Sequence, residues 1–377
     1  MIQTPGILVT VLAFVLVLGP LVFLHELGHY LAGRWFGVKA EEFSIGFGRE
    51  IAGFTDKRGT RWKFGWLPLG GYVRFAGDMN PASQPSPEWL SLPARERAQT
   101  FQAKALWQRA IIVAAGPIMN FLVAIAILSA FAVGYGKVVT PPVIASVAPG
   151  SAAERSGLKA GDRIVALDGR QVEDFIDIGR FAMLRSGETV TVEYQRGGQA
   201  LQTSATIGSL TEKDRFGNIT HRGVLGIGRG ASEIRPVALW EAPGEGISQT
   251  IGIVWTTIEG LQRIILGRIP VTELGGPLKI AKVSGEFLAM GPVQLVYLIA
   301  LISINLGFIN LLPVPVLDGG HLLFYAVEAV RRRPVEPQVM EWAYRGGLVA
   351  ILALMLFVTF NDLGTFGVWR NLAGLIG

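Results

Sequence analysis

Four stretches of the chain are almost wholly apolar. They lie at residues 6–36, 110–135 and 293–312, and the fourth begins at residues 346–360. A helix that crosses a membrane needs about 20 apolar residues. Because no positive side chain precedes the first stretch and no small-x-small cleavage site follows it, we interpret it as a retained helix and not as a signal peptide. The pattern predicts a multi-pass α-helical membrane protein with four transmembrane helices.

Two short strand patterns, at residues 42–48 and 62–73, lie in the polar segment between the first two apolar stretches. Glycines interrupt both patterns, and glycine in a strand permits a bend or a close approach of the backbone. One interpretation is a soluble hairpin. The other is a membrane-associated β-hairpin beside the first helix, with a free edge that could pair with an extended substrate. Residues 80–98 contain several Pro and Ser and predict a surface loop.

Residues 136–230 have the pattern of a separate α+β domain. They predict a strand at 143–147, a short helix at 151–156, a helix at 172–185 and a hairpin at 189–207 that turns at Gly197-Gly198. We expect residues 214–228 to complete the domain. The run from Ser151 to Gly169, SAAERSGLKAGDRIVALDG, resembles a PDZ domain of the bacterial type. PDZ domains bind extended peptides by strand addition, so the resemblance implies a peptide or protein ligand.

Residues 247–266 carry apolar side chains at helical spacing, interrupted by Gln249, Glu259, Gln262 and Arg263. This pattern is more typical of an amphipathic helix on the membrane surface than of a span. The predicted organisation is therefore an N-terminal membrane half (1–135), the inserted domain (136–230), a membrane-surface linker (231–292) and a C-terminal membrane half (293–377).

The composition supports a membrane protein, because 50% of the 377 residues are hydrophobic and only 17% are charged. Lys and Arg concentrate in residues 34–109 and 331–345, which the positive-inside rule places in the cytoplasm, with the inserted domain outside. The net charge of +5 is explained by these clusters, and we expect no nucleic-acid partner. The absence of cysteine excludes disulfides, thiolate zinc sites and a cysteine nucleophile.

The first apolar stretch contains the motif HELGH, with His25 and His29 four residues apart and Glu26 between them. On a helix, residues i and i+4 share a face, so both imidazoles can bind one metal ion while Glu26 serves as a candidate base. Zinc is the usual metal for such a site. The motif lies at the end of an apolar run, where unpaired polar groups are costly, and this position favours a functional role.

Catalytic zinc sites use three protein ligands, so a third ligand must come from elsewhere. Asp318 is the best candidate, since it follows the third apolar stretch after a segment broken by two prolines. His321 and His221 remain alternatives. Asn120, in the second apolar stretch, is interpreted as a polar link between helices, with a role beside the metal as the alternative.

Several motifs together resemble the site-2 protease family of intramembrane zinc metalloproteases, most closely its bacterial regulator-of-sigma-E protease branch. They are HELGH in the first stretch, GFG and LGGYV in the polar segment, GPxxN in the second stretch, the PDZ-like run, and NLLPVPVLDGGH in the third. The best-known members of this branch carry two tandem PDZ domains, whereas this chain shows one.

The resemblance implies one Zn²⁺ ion held by His25, His29 and Asp318, with Glu26 as the catalytic residue. It further implies substrate contacts at Asn310 and at the glycines Gly46, Gly48, Gly70 and Gly71. The expected substrates are single-pass membrane proteins, such as a pre-trimmed anti-sigma factor or a signal-peptide remnant. The expected location is the bacterial inner membrane, with the active site toward the cytoplasm and the PDZ domain in the periplasm.

Two other classes of function fit parts of the sequence. A membrane-anchored PDZ scaffold with an inactive metal site would explain the inserted domain, but it would have no need of Glu26. A metal-ion transporter would need polar residues along the other apolar stretches, and these contain too few to form a path.

Overall fold

The computed structural model describes residues 6–77, 92–213, 219–267, 269–271 and 274–365. The described residues form two compact units. The first contains the residues up to Leu128 together with Gly246–Val254 and Gly275–Asp362, and the second contains residues of Ser129–Glu245 and Trp255–Leu274. The helices are α1 (Ile7–Trp35), α2 (Ala94–Arg97), α3 (Leu106–Tyr135), α4 (Ala152–Arg155), α5 (Phe175–Met183), α6 (Ala242–Ile265), α7 (Pro277–Met290), α8 (Pro292–Asn310), α9 (Asp318–Arg331) and α10 (Pro337–Thr365).

Four of these helices, α1, α3, α8 and α10, are long and apolar enough to cross a membrane. The 29 residues of α1 give a length of about 44 Å, more than the ~30 Å hydrocarbon core of a bilayer. The predicted fourth span, at residues 346–360, is part of a longer helix that already begins at Pro337. Proline fits the start of a helix, and the ion pair between Glu341 and Arg345 one turn later supports the polar first turns.

Helix α7 packs against α1 within the first unit and was not predicted from the sequence. It lies within residues 231–292, which the sequence predicts to be a membrane-surface linker. Here Gly276 and Pro277 begin a helix. The buried carboxylate of Asp362, from α10, accepts hydrogen bonds from the backbone N–H groups of Gly276 (3.1 Å) and Lys279 (3.0 Å). A helix N-terminus leaves N–H groups without partners, and this distant carboxylate satisfies two of them.

Strands β1 (Ala40–Thr55) and β2 (Arg61–Phe75) form an antiparallel hairpin longer than the predicted strands. The hairpin folds back on itself, since residues 42–45 pair with residues 61–64 on one side and with residues 71–74 on the other. Residues 71–74 therefore form an outer edge of the sheet. The described residues include no further strand paired with this edge. Of the predicted loop at 80–98, residues 80–91 lie outside the described residues.

The second unit contains the remaining strands, and the last of them lies beyond the predicted end of the inserted domain at residue 230. They are β3 (Lys137–Val139), β4 (Ile144–Val147), β5 (Arg163–Leu167), β6 (Arg170–Gln171), β7 (Thr189–Arg196), β8 (Gln199–Thr206), β9 (Gly208–Lys213), β10 (Ile219–Val224), β11 (Ile227–Arg229) and β12 (Glu233–Arg235). The central sheet has the order β6-β5-β7-β8, and three two-stranded pairs join β10 to β9, β11 to β4 and β12 to β3. Apolar side chains including Ile144, Ile164, Leu167 and Ile178 form its core.

The predicted strand, two helices and hairpin of this domain are confirmed, and their boundaries differ from the predicted ones by one to three residues. The hairpin turns at Gly197 and Gly198, both with positive φ. Helix α5 begins at Phe175 and not at residue 172, because Asp174 caps it. The Asp174 carboxylate accepts from Ile176 N–H (3.0 Å), and the Asp177 carboxylate accepts from Asp174 N–H (3.1 Å). Such reciprocal capping fixes a helix start.

The polar residues of the amphipathic helix α6 have a second role, in ion pairs within the second unit. Glu259 pairs with Arg185 of the inserted domain, and Arg263 donates to the carboxylate of Glu188 (2.6 Å). Arg185 and Arg263 are both buried. Buried charges are tolerated only when paired, so these contacts hold the C-terminal part of α6 against the inserted domain.

A pH-dependent ion pair stabilises the inserted domain. The buried carboxylate of Asp162 accepts two hydrogen bonds of 2.7 Å from the Arg196 guanidinium and one of 2.7 Å from Lys159 N–H. The bonds from Arg196 lower the pKa of Asp162 below its ordinary value, although burial opposes them. A lowered folded-state pKa means that this stabilisation is present above pH ~4 and is lost as the pH falls through the folded-state pKa.

We therefore expect Asp162→Asn to destabilise the domain by about 2 kcal/mol at pH 7, because hydrogen bonds to a charged group are lost. The difference in the free energy of unfolding between the variant and the wild type should become smaller below pH ~4. Amide hydrogen exchange of β5 and β7 in the full chain measures it. Glu173→Gln, at an exposed carboxylate, is the control and should leave exchange unchanged. An equal difference in stability at pH 7 and pH 3 would contradict the stabilising role of the ionised Asp162 carboxylate.

Candidate metal centre and active site

Helix α1 places His25, Glu26 and His29 on the side that packs into the first unit, and His25 and Glu26 are buried. Asp318 arrives from another part of the chain, as the first residue of α9. The ligand atoms of His25, His29 and Asp318 lie within 4.8 Å of one another, and they form the one such potential metal-binding group found in the described ranges.

The distances among these atoms suit a tetrahedral ion. The two Nε2 atoms are 3.2 Å apart, His25 Nε2 lies 3.3 Å from Asp318 Oδ2, and His29 Nε2 lies 3.5 Å from Asp318 Oδ1. Zinc bonds of about 2.0–2.1 Å at the tetrahedral angle separate neighbouring ligands by about 3.3 Å. Two imidazoles and one carboxylate, with a fourth position open, are a typical donor set for catalytic zinc.

The His29 ring is held in the orientation that a metal ligand needs. Its Nδ1 lies 2.9 Å from the backbone oxygen of Ile112 in α3 and can donate to it, which leaves the Nε2 lone pair for a metal. Gly116, one turn further along α3, lies directly over the same ring. A Cβ atom at this position would be 2.2 Å from His29 Nε2. Only glycine allows α3 to approach so closely.

Asn120 contacts the other imidazole. Its side-chain amide lies 3.0 Å from His25 Nδ1, and its buried Oδ1 makes no hydrogen bond. A metal bound at His25 Nε2 requires the proton on Nδ1, and a 180° rotation of the amide places Oδ1 where it can accept that proton. The backbone oxygen of Asn120 also accepts from Ser303 Oγ of α8 (2.7 Å). Asn120 therefore links helices and also lies beside the metal centre, which was the less favoured interpretation.

The loop before Asp318 is compact and strained. Val316 has φ of +94°, a conformation that costs free energy in a β-branched residue and is often found at functional sites. Glycines permit the close approaches around this loop. A Cβ at Gly319 would be 2.3 Å from Leu311 O, and a Cβ at Gly347 of α10 would be 2.5 Å from Pro315 O. The sequence DGG thus turns the chain so that Asp318 meets α1.

A cavity of about 650 Å³ opens beside the ligands. It is lined mainly by apolar side chains, and Glu26, Asn310 and His321 are among its polar residues. The hairpin contributes Gly70 and Gly71. A Cβ at Gly71 would be 2.9 Å from Glu26 Cγ, so the outer edge of β2 passes directly against the candidate base.

The other predicted site residues lie away from the ligands. Gly46 and Gly48 have positive φ and pack against Leu67 O and the Trp66 ring, where they shape the hairpin and do not line this cavity. His221 is on β10, where Thr211 lies 3.2 Å from its ring. His321 lines the cavity but is outside the group of three ligands.

The model of the protein family described as Peptidase family M50 matches residues 13–354. The chain belongs to peptidase family M50. It is 44% identical to the Agrobacterium fabrum protein named "Putative zinc metalloprotease Atu1380", over 94% of this chain and 96% of that one. It is 35% identical to Metalloprotease MmpA of Caulobacter vibrioides, over 98% of this chain and 99% of that one.

Among solved structures, the PDZ domain of the SdrC-like protein of Listeria monocytogenes matches 23% of this chain and 84% of its own, at 23% identity and a TM-score of 0.19. The PDZ assignment of residues 136–230 stays a prediction. The predicted resemblance to the site-2 proteases is confirmed by the family match and the relatives.

The M50 peptidase is thus a zinc metalloprotease, and His25, His29 and Asp318 are the residues that fit its zinc ion. The sequence motifs HELGH and LDG indicated these three residues. Gly116 and Asn120 lie four residues apart and so share a helix face, and this spacing could have indicated that both face α1. The contact of His29 with the Ile112 carbonyl has no sequence signal, because any residue supplies a backbone oxygen.

Two glycines of α3 offer a matched test of this geometry in the M50 peptidase. We expect Gly116→Ala to weaken zinc binding by roughly 10- to 100-fold, since the new methyl group displaces His29. Gly134→Ala, on the same helix, meets no atom within 4 Å and should bind zinc like the wild type. Competition with a zinc chelator measures both affinities. Equal zinc affinities in the two variants would refute the close approach of α3 to His29.

Proposed function

We propose that this M50 peptidase is an endopeptidase that cleaves the transmembrane segments of single-pass membrane proteins. Substrates of this class include a pre-trimmed anti-sigma factor and a signal-peptide remnant, and their cleavage is a step of regulated intramembrane proteolysis. The observation that carries the proposal is the position of the ligands: two of them lie on α1, a helix apolar and long enough to cross a membrane. A water-soluble substrate would have no reason to reach such a site.

The cavity and the hairpin support this substrate class. The cavity has a mostly apolar lining, which suits the side chains of a membrane segment. A transmembrane helix hides its peptide bonds in hydrogen bonds and must unwind before hydrolysis. The outer edge of residues 71–74 offers backbone groups to an unwound segment, which can add as a further strand next to Glu26.

Hydrolysis then depends on a small set of residues. When bound at this site, zinc lowers the pKa of a water molecule and polarises the substrate carbonyl. Glu26 lines the same cavity and accepts the proton of the attacking water, then delivers it to the leaving amine. Asn310, at the end of α8, lines the cavity and holds the substrate backbone.

The proposal includes a location and further partners. From the basic segments and the positive-inside rule, we infer that the hairpin and the active site lie toward the cytoplasmic side of a bacterial inner membrane, with the inserted domain in the periplasm. The lipid bilayer surrounds the apolar helices. The inserted domain, as a PDZ domain, binds a peptide or protein ligand in a groove between α5 and residues 222–229. A scaffold with an inactive metal site is disfavoured, because it needs neither Glu26 nor a convergent ligand set.

The decisive experiment compares the wild type with Glu26→Gln and Asp318→Ala, using a model single-span substrate in detergent. We expect stoichiometric zinc in the wild type and in Glu26→Gln, because Glu26 is not a ligand, and little zinc in Asp318→Ala. Cleavage should occur only in the wild type and should stop when a chelator is added. Loss of the base should slow the reaction by at least about 100-fold.

Cleavage by zinc-loaded Glu26→Gln at the wild-type rate would refute the role of Glu26. Zinc-free wild-type protein would favour the scaffold function.

Because the chain has no cysteine, single substitutions can report where the substrate lies. We expect Val73→Cys, at the cavity edge of β2, to form a disulfide with a cysteine placed near the scissile bond of the substrate. Phe54→Cys, on the opposite edge of the hairpin, is exposed and should not. Both are made in the Glu26→Gln background so that the substrate persists. Cross-linking of Phe54→Cys alone would place the substrate elsewhere.

A further inference from the structure

His321 faces the active-site cavity and lies outside the group of three potential metal ligands. His321 lines the cavity together with Asp318 and Glu26. It lies one helical turn after Asp318 on α9, so both side chains project from the same face of that helix. Among the described residues, only His25, His29 and Asp318 form a group of potential metal ligands. His321 therefore lies beside this group and not within it.

Tyr344 of α10 holds the His321 ring. The Tyr344 hydroxyl is in hydrogen-bond contact with His321 Nε2 and lies 3.1 Å from Nδ1, and the two ring centroids are 5.2 Å apart. Tyr344 is 8% exposed and does not line the cavity. The buried tyrosine therefore contacts the His321 ring from outside the cavity.

This contact determines which hydrogen-bonding groups His321 can offer. A neutral imidazole has one N–H donor and one acceptor nitrogen. A neutral tyrosine hydroxyl that donates to one nitrogen leaves the proton on the other. The proton on that other nitrogen makes His321 a candidate donor in the cavity that Asp318 and Glu26 also line.

Peptide hydrolysis places negative charge on the carbonyl oxygen of the scissile bond, and fixed donors aimed at that oxygen accelerate it. Glu26 offers a carboxylate, and the three ligands are committed to the metal, so none of them can supply such a donor. We propose that His321 is a catalytic residue that donates a hydrogen bond to this developing oxyanion, and that Tyr344 is the positioning residue that fixes its tautomer. The proposal rests on the peptidase activity proposed above.

The test uses the full-length protein with His321→Ala, His321→Gln and Tyr344→Phe, and Tyr135→Phe, at an exposed tyrosine, as the control. We expect His321→Ala to lower kcat by about 100-fold without changing KM or the zinc content. Gln retains an N–H donor, so His321→Gln should recover part of the loss. Tyr344→Phe should have an intermediate effect, and Tyr135→Phe should match the wild type.

A binding measurement separates catalysis from simple support of the fold. A phosphinic peptide mimics the tetrahedral intermediate, whereas the uncleaved substrate bound to Glu26→Gln mimics the ground state. Substitution of His321 should weaken binding of the phosphinic peptide by the same factor by which it lowers kcat/KM. It should leave binding of the uncleaved substrate unchanged in the Glu26→Gln background.

Three results would overturn the proposal: wild-type kcat in folded His321→Ala, loss of zinc in that variant, or an increase in KM alone. Zinc loss would instead make His321 a ligand. If the wild type cleaves and His321→Ala cleaves equally well, only this inference fails. If the wild type cleaves no membrane substrate, the proposed function fails, and the phosphinic peptide still tests His321.

Discussion

The structure depends on the meeting of two imidazoles and one carboxylate among apolar helices. An isolated ionised carboxylate in such surroundings carries a large desolvation cost, and a buried imidazole needs a partner for each ring nitrogen. A shared cation satisfies all three side chains at once. Because His25 and His29 belong to the first helix and Asp318 to the start of α9, the metal centre also joins N-terminal and C-terminal segments of the first unit.

This meeting requires unusually close approaches of backbone to side chain. Gly116 lets α3 pass over the His29 ring, Gly319 and Gly320 let the strained loop fold back before Asp318, and Gly71 brings the hairpin against Glu26. In each case a Cβ atom would lie closer than 3.0 Å to its neighbour. The glycines around the site are therefore part of its geometry, in the same way as the ligands. The hairpin edge and the metal centre face one cavity because Gly71 permits it.

The grouping of His25, His29 and Asp318 could be predicted from the sequence because it depends mostly on local features. Two histidines four residues apart on a helix share a face. An aspartate after a broken apolar stretch is costly unless it has a partner, so it indicates a functional role. The four helices that are long and apolar enough to cross a membrane could be predicted for a similar reason, since length and hydropathy are properties of a single segment. Helix α7 was missed because Gly276 and Pro277 resemble a break, and the carboxylate that caps the helix, Asp362, is distant in sequence. The pairing of His321 with Tyr344 was missed for the same reason, because it depends on how two helices pack.

We infer that one zinc ion is held by two imidazoles and one carboxylate. X-ray absorption spectroscopy at the zinc edge of the full-length protein tests it most directly, and the absence of cysteine removes any sulfur contribution. We expect one zinc per chain, nitrogen and oxygen ligands at about 2.0–2.1 Å, and scattering from two imidazole rings. Scattering from three imidazoles, or no bound zinc, would contradict it.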